Sequence, residues 1–184
     1  RESKNAFGDD KVLIEKYISD GRHIEVQLLG DKFNNLIHLY ERECTIQRRY
    51  QKIIEESPSP ALNDSLRKAM CDSAISIGKK LKYDSLGTVE YIFDNNTKKF
   101  YFLEVNTRLQ VEHPVTEELI KLDLVKLQIE AALGQKLNLS QTDIKPIGYS
   151  IELRLYAEDP KNNFTPSSGK IEKFICPERN YVRI

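Results

Sequence analysis

The sequence lacks an excess of charge of either sign: twenty-eight Lys and Arg residues cancel twenty-eight Asp and Glu across 184 positions. No global field therefore favours nucleic acid or an anionic membrane surface. It also lacks an 18-residue apolar run and an apolar leader, so neither a membrane nor a nucleic acid is an expected partner. Cysteine is scarce: Cys44, Cys71 and Cys176 are odd in number, widely spaced and without a paired motif. They read as ordinary thiols of a reducing compartment, not as a metal site or disulfide frame. Nothing resembles a glycine-rich phosphate loop. What is present suffices for a core, since a chain of this length buries roughly 70% of its unfolded surface, in one domain or one and a fraction. The chain opens on Arg1 and stops on Val182-Arg-Ile184, in what reads as mid-strand, so it is expected to be a piece of something longer.

Lys11 to Ile18, Arg22 to Leu29 and Leu36 to Ile46 read as strands of an antiparallel meander, parted by Ser19-Asp-Gly21 and Gly30 to Asn35. Gln47 to Pro60 starts strongly charged and ends in Ser57-Pro-Ser-Pro60, a loop that cannot be helix or inner strand. Asn63 is a candidate N-cap for a helix to about Leu81, with Leu66, Met70, Ala74, Ile77 and Leu81 at helical spacing and lysines at its end. A short helix is expected over Thr116 to Leu122, and a second one, capped by Asp123, ends before Gly134. Gly148 to Tyr156 alternates cleanly as a strand, and Lys170 to Ile175 reads as a last one. Strands and helices segregate more than they alternate, which argues for α+β with a mainly antiparallel sheet.

The densest chemistry lies in Tyr101-Phe-Leu-Glu104-Val-Asn106-Thr-Arg108-Leu-Gln110-Val-Glu112-His113-Pro114. An apolar strand runs into a loop of carboxylates, amides, a guanidinium and an imidazole. Alternation puts Glu104 and Asn106 on one strand face. Gly87 to Phe93 reads as the partner strand, with Asp94 to Lys98 as the turn. Counting back across that turn sets Glu90 opposite Glu104 and Thr88 opposite Asn106. Two carboxylates roughly 5 Å apart repel by about 3 kcal/mol at an effective dielectric near 20. A cation between them relieves this, and an all-oxygen set of Glu90, Glu104 and Asn106 suits Mg²⁺ or Mn²⁺. Mg²⁺ keeps few protein ligands because phosphates complete its shell, which points to a nucleotide. The plain alternative is a solvated hairpin face carrying two unrelated glutamates.

The run Glu104-Val-Asn106-Thr-Arg108-Leu-Gln110-Val-Glu112-His113-Pro-Val-Thr-Glu117 resembles the signature of biotin carboxylases, the ATP-grasp component of biotin-dependent carboxylases. Two further stretches agree, Glu41 to Pro58 around Gln47-Arg-Arg-Tyr50-Gln-Lys52, and Glu152-Leu-Arg154-Leu-Tyr-Ala-Glu-Asp-Pro160. The resemblance covers essentially the whole chain. It implies residues 1–146 as the C-terminal portion of an ATP-grasp domain and 147–184 as the beginning of a biotin carboxylase C-terminal subdomain. It also implies that ATP phosphorylates bicarbonate, and that the carboxyphosphate so formed carboxylates N1′ of biotin on a carrier domain.

By motif, Glu90 and Glu104, with Asn106, would hold magnesium or manganese. Arg108 would clamp bicarbonate, with Gln110, the Val111 amide and Lys52 completing that pocket. Glu112 would be the general base, and Arg154 would stabilise the biotin anion. Glu15, Lys16, Tyr17 and Ile18 match the adenine-contacting segment, while His23 and Gln47 match residues near ribose and phosphates. Tyr50 stands where the family more often has His or Asn, and no role is carried onto it. The family's glycine-rich lid is not found in the chain, so this piece alone is expected not to turn over. Implied partners are a biotin carboxyl carrier domain, a carboxyltransferase and a second copy of the full-length protein, in cytoplasm or mitochondrial matrix. Two rivals remain: another ATP-grasp ligase joining a carboxylate to an amine, which has no use for the Arg108 to His113 loop, and a non-catalytic interaction or dimerisation module.

Overall fold

The computed structural model describes residues 2–177, 179 and 181–184, and of Phe7 the backbone alone. It falls into two compact units, residues 1–153 and 154–184. In the first, β1 (Gly21–Gly30), β2 (Leu36–Arg48), β3 (Gln51–Ser57), β4 (Ser85–Asp94), β5 (Phe100–Asn106) and β6 (Ser150–Leu153) form one sheet in the order β5-β4-β1-β2-β3-β6. Every neighbouring pair is antiparallel. Helix α1 (Glu2–Phe7) precedes the sheet, α2 (Asp64–Leu81) joins β3 to β4, and α3 (His113–Ile120) and α4 (Leu124–Ala132) follow β5. The second unit carries a two-stranded ribbon, β7 (Glu158–Asp159) with β8 (Thr165–Pro166). The fold is α+β with a mainly antiparallel sheet, as the segregation of elements predicts.

Alternation along the strands supplies both faces of the sheet with apolar cover. Ile24, Val26 and Leu28 of β1 join Val89, Tyr91 and Phe93 of β4 under Met70, Cys71 and Ala74 of α2. On the opposite face Leu29, Ile37, Leu39 and Leu86 meet Leu119 and Ile120 of α3 and Leu124 of α4. The helices are bounded by local chemistry. Asn63 Oδ1 accepts the Leu66 amide at 2.9 Å, and α2 ends where Lys82 turns left-handed and returns its amide to Gly78 and Lys79. Asp123 accepts the Lys126 amide at 2.8 Å and starts α4. Among the described residues no helix is long and apolar enough to cross a membrane.

Three expectations fail. Residues 11–18 form no strand: Val12, Leu13, Ile14 and Tyr17 are exposed, and no sheet edge reaches them to satisfy their backbone. Residues 51–57 are an inner strand, not a loop. Their charged side chains misled because Lys52, Glu55 and Ser57 are largely or fully buried in polar surroundings. Residues 170–175 pair with nothing among the described residues; the ribbon of that unit lies at 158–166 instead. Smaller shifts shorten the strand expected over 148–156 to β6 and move α3 back to His113, because Pro114 suits a first helical turn.

Gly30 closes β1 against the connection from α2 to β4. A Cβ there would meet the Tyr83 carbonyl oxygen well inside contact distance, and Leu36 Cδ1 at 3.1 Å. The first obstacle is backbone and cannot rotate away, so Gly30→Ala is expected to destabilise the fold by about 2 kcal/mol or more. Urea unfolding checks this; an unchanged midpoint contradicts it.

Candidate active site

The sheet face beneath α3 changes character along β1. His23, Glu25 and Gln27 are followed on the same face by apolar Leu29, and register carries the polar block sideways. Glu25 lies opposite Arg42 of β2 and Glu90 of β4, and Gln27 lies opposite Thr88. Across the next ladder Glu90 pairs with Glu104 and Thr88 with Asn106, as the hairpin count predicts. Glu25, Gln27, Arg42 and Thr88 are all at zero exposure, so this is a polar interior, not a solvated surface.

The two facing carboxylates do share one side of the sheet, and Asn106 stands between them. Its Nδ2 donates to Glu90 Oε1 at 3.0 Å and to Glu104 Oε1 at 3.2 Å. The positive end of an amide thus occupies the gap, and the protein meets part of the repulsion by itself. Glu90 is further neutralised from behind. Gln110 Nε2 donates to its Oε1 at 2.8 Å and Lys52 Nζ at 3.2 Å. His23 Nε2 lies 2.6 Å from its Oε2, off the line of a well-directed hydrogen bond. Burial raises the Glu90 pKa, but the His23, Lys52 and Gln110 contacts outweigh it and leave the group well below the ordinary carboxylate range. Glu104 is exposed.

Lys52 is the centre of the cluster. Its ammonium reaches Glu25 Oε2 at 2.5 Å, Glu112 Oε1 at 2.6 Å and Glu90 Oε1 at 3.2 Å. Burial favours the neutral amine, yet Glu25 and Glu112 beside it hold its pKa far above the ordinary lysine value. Glu112 feels the same field in reverse. Its burial opposes ionisation, while Lys52 and Arg42 bring its pKa from 4.5 down to about 2. It is buried at the start of α3, with the Val115 amide returning to its carbonyl.

Other predicted residues are placed less centrally. Gln47 Nε2 lies 3.1 Å from His23 Nδ1 and donates to the Cys44 carbonyl at 2.8 Å, so it supports His23. Arg108 is exposed and donates from Nη1 to the Leu109 carbonyl at 3.3 Å, and Val111 is exposed beside it. Of the segment Glu15 to Ile18, the Lys16 ammonium lies 5.5 Å from the Tyr101 ring centroid; Glu15 and Tyr17 are exposed. Arg154 belongs to the second compact unit. Glu25, Gln27, Arg42, Thr88 and Thr116 were missed. For all but Thr116, which lies on α3, the signal was a polar face on strands whose other face is apolar, which a sequence alone reads as solvent-facing.

The donors fit a hard divalent ion at one place. The oxygens of Glu90 and Glu104 converge closely enough to share one amide nitrogen, and rotating the Asn106 amide would offer its oxygen to the same gap. Ligand atoms of His23, Glu25 and Glu90 also lie within 4.8 Å of one another, as do those of Glu25, Cys44 and Glu112. Lys52 already bonds the carboxylates of both groups, and its charge takes the position an ion would need.

Residues 1–140 match the family described as "Carbamoyl-phosphate synthase L chain, ATP binding domain". The chain belongs to this family. Within it, the likeness to biotin carboxylases read from the motifs holds. The chain is 50% identical over its whole length to Biotin carboxylase 1 of Bacillus subtilis, covering 41% of that protein. It is 52% identical over 176 residues to the propionyl-CoA carboxylase alpha chain of Ruegeria pomeroyi, 96% of this chain and 26% of that one. Among solved structures, the biotin carboxylase domain of Hydrogenobacter thermophilus 2-oxoglutarate carboxylase, in complex with MgADP, ADP and bicarbonate, superposes with a TM-score of 0.91 at 49% identity, over 97% of this chain and 39% of that one. The biotin carboxylase–β-γ-ATP complex from Campylobacter jejuni gives 0.91 at 48% identity, over 97% and 40%. The chain spans less than half the length of these relatives.

The field around Lys52 has a pH signature. Because the folded pKa of Glu112 lies below its ordinary 4.5, its stabilisation is complete above about pH 4.5 and is lost as pH falls toward about 2; Glu90 is shifted the same way. Lys52→Met is therefore expected to cost about 3 kcal/mol at pH 7, where it strands buried carboxylates, and clearly less at pH 3. Denaturant unfolding at both values decides it, and an equal loss at both contradicts the assignment.

Proposed function

We propose that this chain supplies the metal, bicarbonate and base side of a biotin carboxylase, with residues 147–184 beginning the next subdomain. The observation that carries the proposal is that one largely buried side chain, Lys52, joins the candidate base Glu112 to the candidate metal ligand Glu90. In the reaction, a bicarbonate oxygen attacks the γ-phosphorus of ATP, ADP leaves, and carboxyphosphate forms. The carboxyl group then passes to N1′ of biotin and phosphate is released.

Glu90, Glu104 and Asn106 would hold Mg²⁺ or Mn²⁺. When bound, the ion neutralises phosphate charge during phosphoryl transfer. The exposed Arg108 clamps bicarbonate with its planar fork, with Gln110 and the Val111 amide beside it. Glu112 takes the bicarbonate proton. At about 2 its pKa makes it a weak base in the resting site. On this reading, because Lys52 is shared among three carboxylates, an incoming anion competes for it, and Glu112 becomes more basic as that bond is loosened. Arg154 takes the anion of biotin. Glu15 to Ile18, His23 and Gln47 line the nucleotide side. The partners of the whole protein on this reading are a biotinylated carrier domain, a carboxyltransferase and a second copy, in bacterial cytoplasm or mitochondrial matrix. A carboxylate–amine ligase shares the metal ligands but has no use for a base and anion clamp on one loop.

In the full-length protein carrying this segment, Glu112→Gln is expected to lower bicarbonate-dependent, biotin-stimulated ATP hydrolysis by about a hundredfold or more. Glu104→Ala is expected to weaken activation by Mg²⁺ without destabilising the fold, because the side chain is exposed. Wild-type turnover in the first variant discards the base, and unchanged Mg²⁺ dependence in the second discards the metal site.

A further inference from the structure

We propose that Arg42, which no part of the motif reading singles out, is the positioning residue that sets the orientation of the base and anion loop. This inference rests on the function proposed above. Arg42 sits on β2 at zero exposure, and all five N–H groups of its guanidinium are used. Nε donates to Glu25 Oε1 at 2.7 Å. Nη1 donates to Gln27 Oε1 at 2.7 Å and Thr116 Oγ1 at 2.9 Å. Nη2 donates to Gln110 Oε1 at 2.9 Å and Thr88 Oγ1 at 3.3 Å. The acceptors come from β1, β4, the loop after β5 and α3, so one side chain spans four separately folded segments.

Stability does not account for this arrangement. Burying a guanidinium costs several kcal/mol, and apolar residues of similar volume are often as stable or more so. What the fork provides is direction. A guanidinium has donors only, so any amide facing it must present oxygen. Gln110 therefore turns Oε1 to Arg42, which leaves Nε2 to donate to Glu90. Glu25 likewise gives Oε1 to Arg42 and aims Oε2 at Lys52. The two side chains that orient the Lys52–Glu90 pair are thus both fixed by the same fork, and Thr116 ties it to the first turns of the helix that Glu112 begins. A lysine at this position keeps the charge but is a point donor, and cannot hold acceptors on five sides.

The test uses the full-length enzyme with bicarbonate and MgATP varied separately. In Arg42→Lys, kcat/KM for bicarbonate is expected to fall about thirtyfold or more, with KM for MgATP within about threefold, because the loss is one of alignment at the anion loop. Thr116→Val removes one acceptor without touching a charge, and guards against a lysine variant that fails to fold. It is expected to lower the same ratio several-fold while its melting temperature stays near wild type. Wild-type kcat/KM for bicarbonate in either folded variant overturns the proposal, as does a KM for MgATP that rises as far as that ratio falls. Glu112→Gln in the same assay separates the two levels. If it is inactive while Arg42→Lys is normal, only the positioning role fails. If it too is fully active, the reading beneath has failed.

Discussion

The ammonium of Lys52 is the constraint on which the site depends. Three buried carboxylates from β1, β4 and the start of α3 converge on it, and its charge offsets the repulsion among them. The cluster is possible because the sheet is covered on both faces. One face is closed by α2 over an apolar layer, while the other is closed by α3 and α4 over a surface that is apolar at one end and polar at the other. Burial strengthens each charge pair in the polar half and penalises any charge left single.

That arrangement reinterprets the opposed glutamates of the β4–β5 ribbon. Their repulsion needs no ion for the fold to exist, since Asn106 lies between them and Lys52, Gln110 and His23 crowd Glu90. A divalent ion at this place therefore competes with groups already present, on the Glu90 side above all. On the function proposed above, such an ion would depend on exposed Glu104 and on phosphate oxygens that arrive with it. The same sharing makes Glu112 responsive: its proton affinity depends on how much of Lys52 it retains.

Local pattern made much of this legible. Period-two alternation and one turn placed Glu90 against Glu104 and Thr88 against Asn106, and capping chemistry placed α2 and α4. What escaped was burial of polar residues. His23, Glu25 and Gln27 alternate with core residues as a solvated strand would, and Lys52, Glu55 and Glu56 made β3 look like a loop. A third layer over these faces is a tertiary fact that no window of the sequence contains. The opposite error occurred at 11–18, where alternation without a partner strand gives no ladder.

The ionisation of Glu112 reports most directly on the site, because the charge Lys52 shares with it joins the candidate base to the candidate metal ligand. Titration of its side-chain carboxyl by carbon-detected NMR in the folded, ligand-free protein is predicted to give an apparent pKa of about 2. A value at or above the ordinary 4.5 would show that Lys52 does not govern this carboxylate, and would contradict the site described.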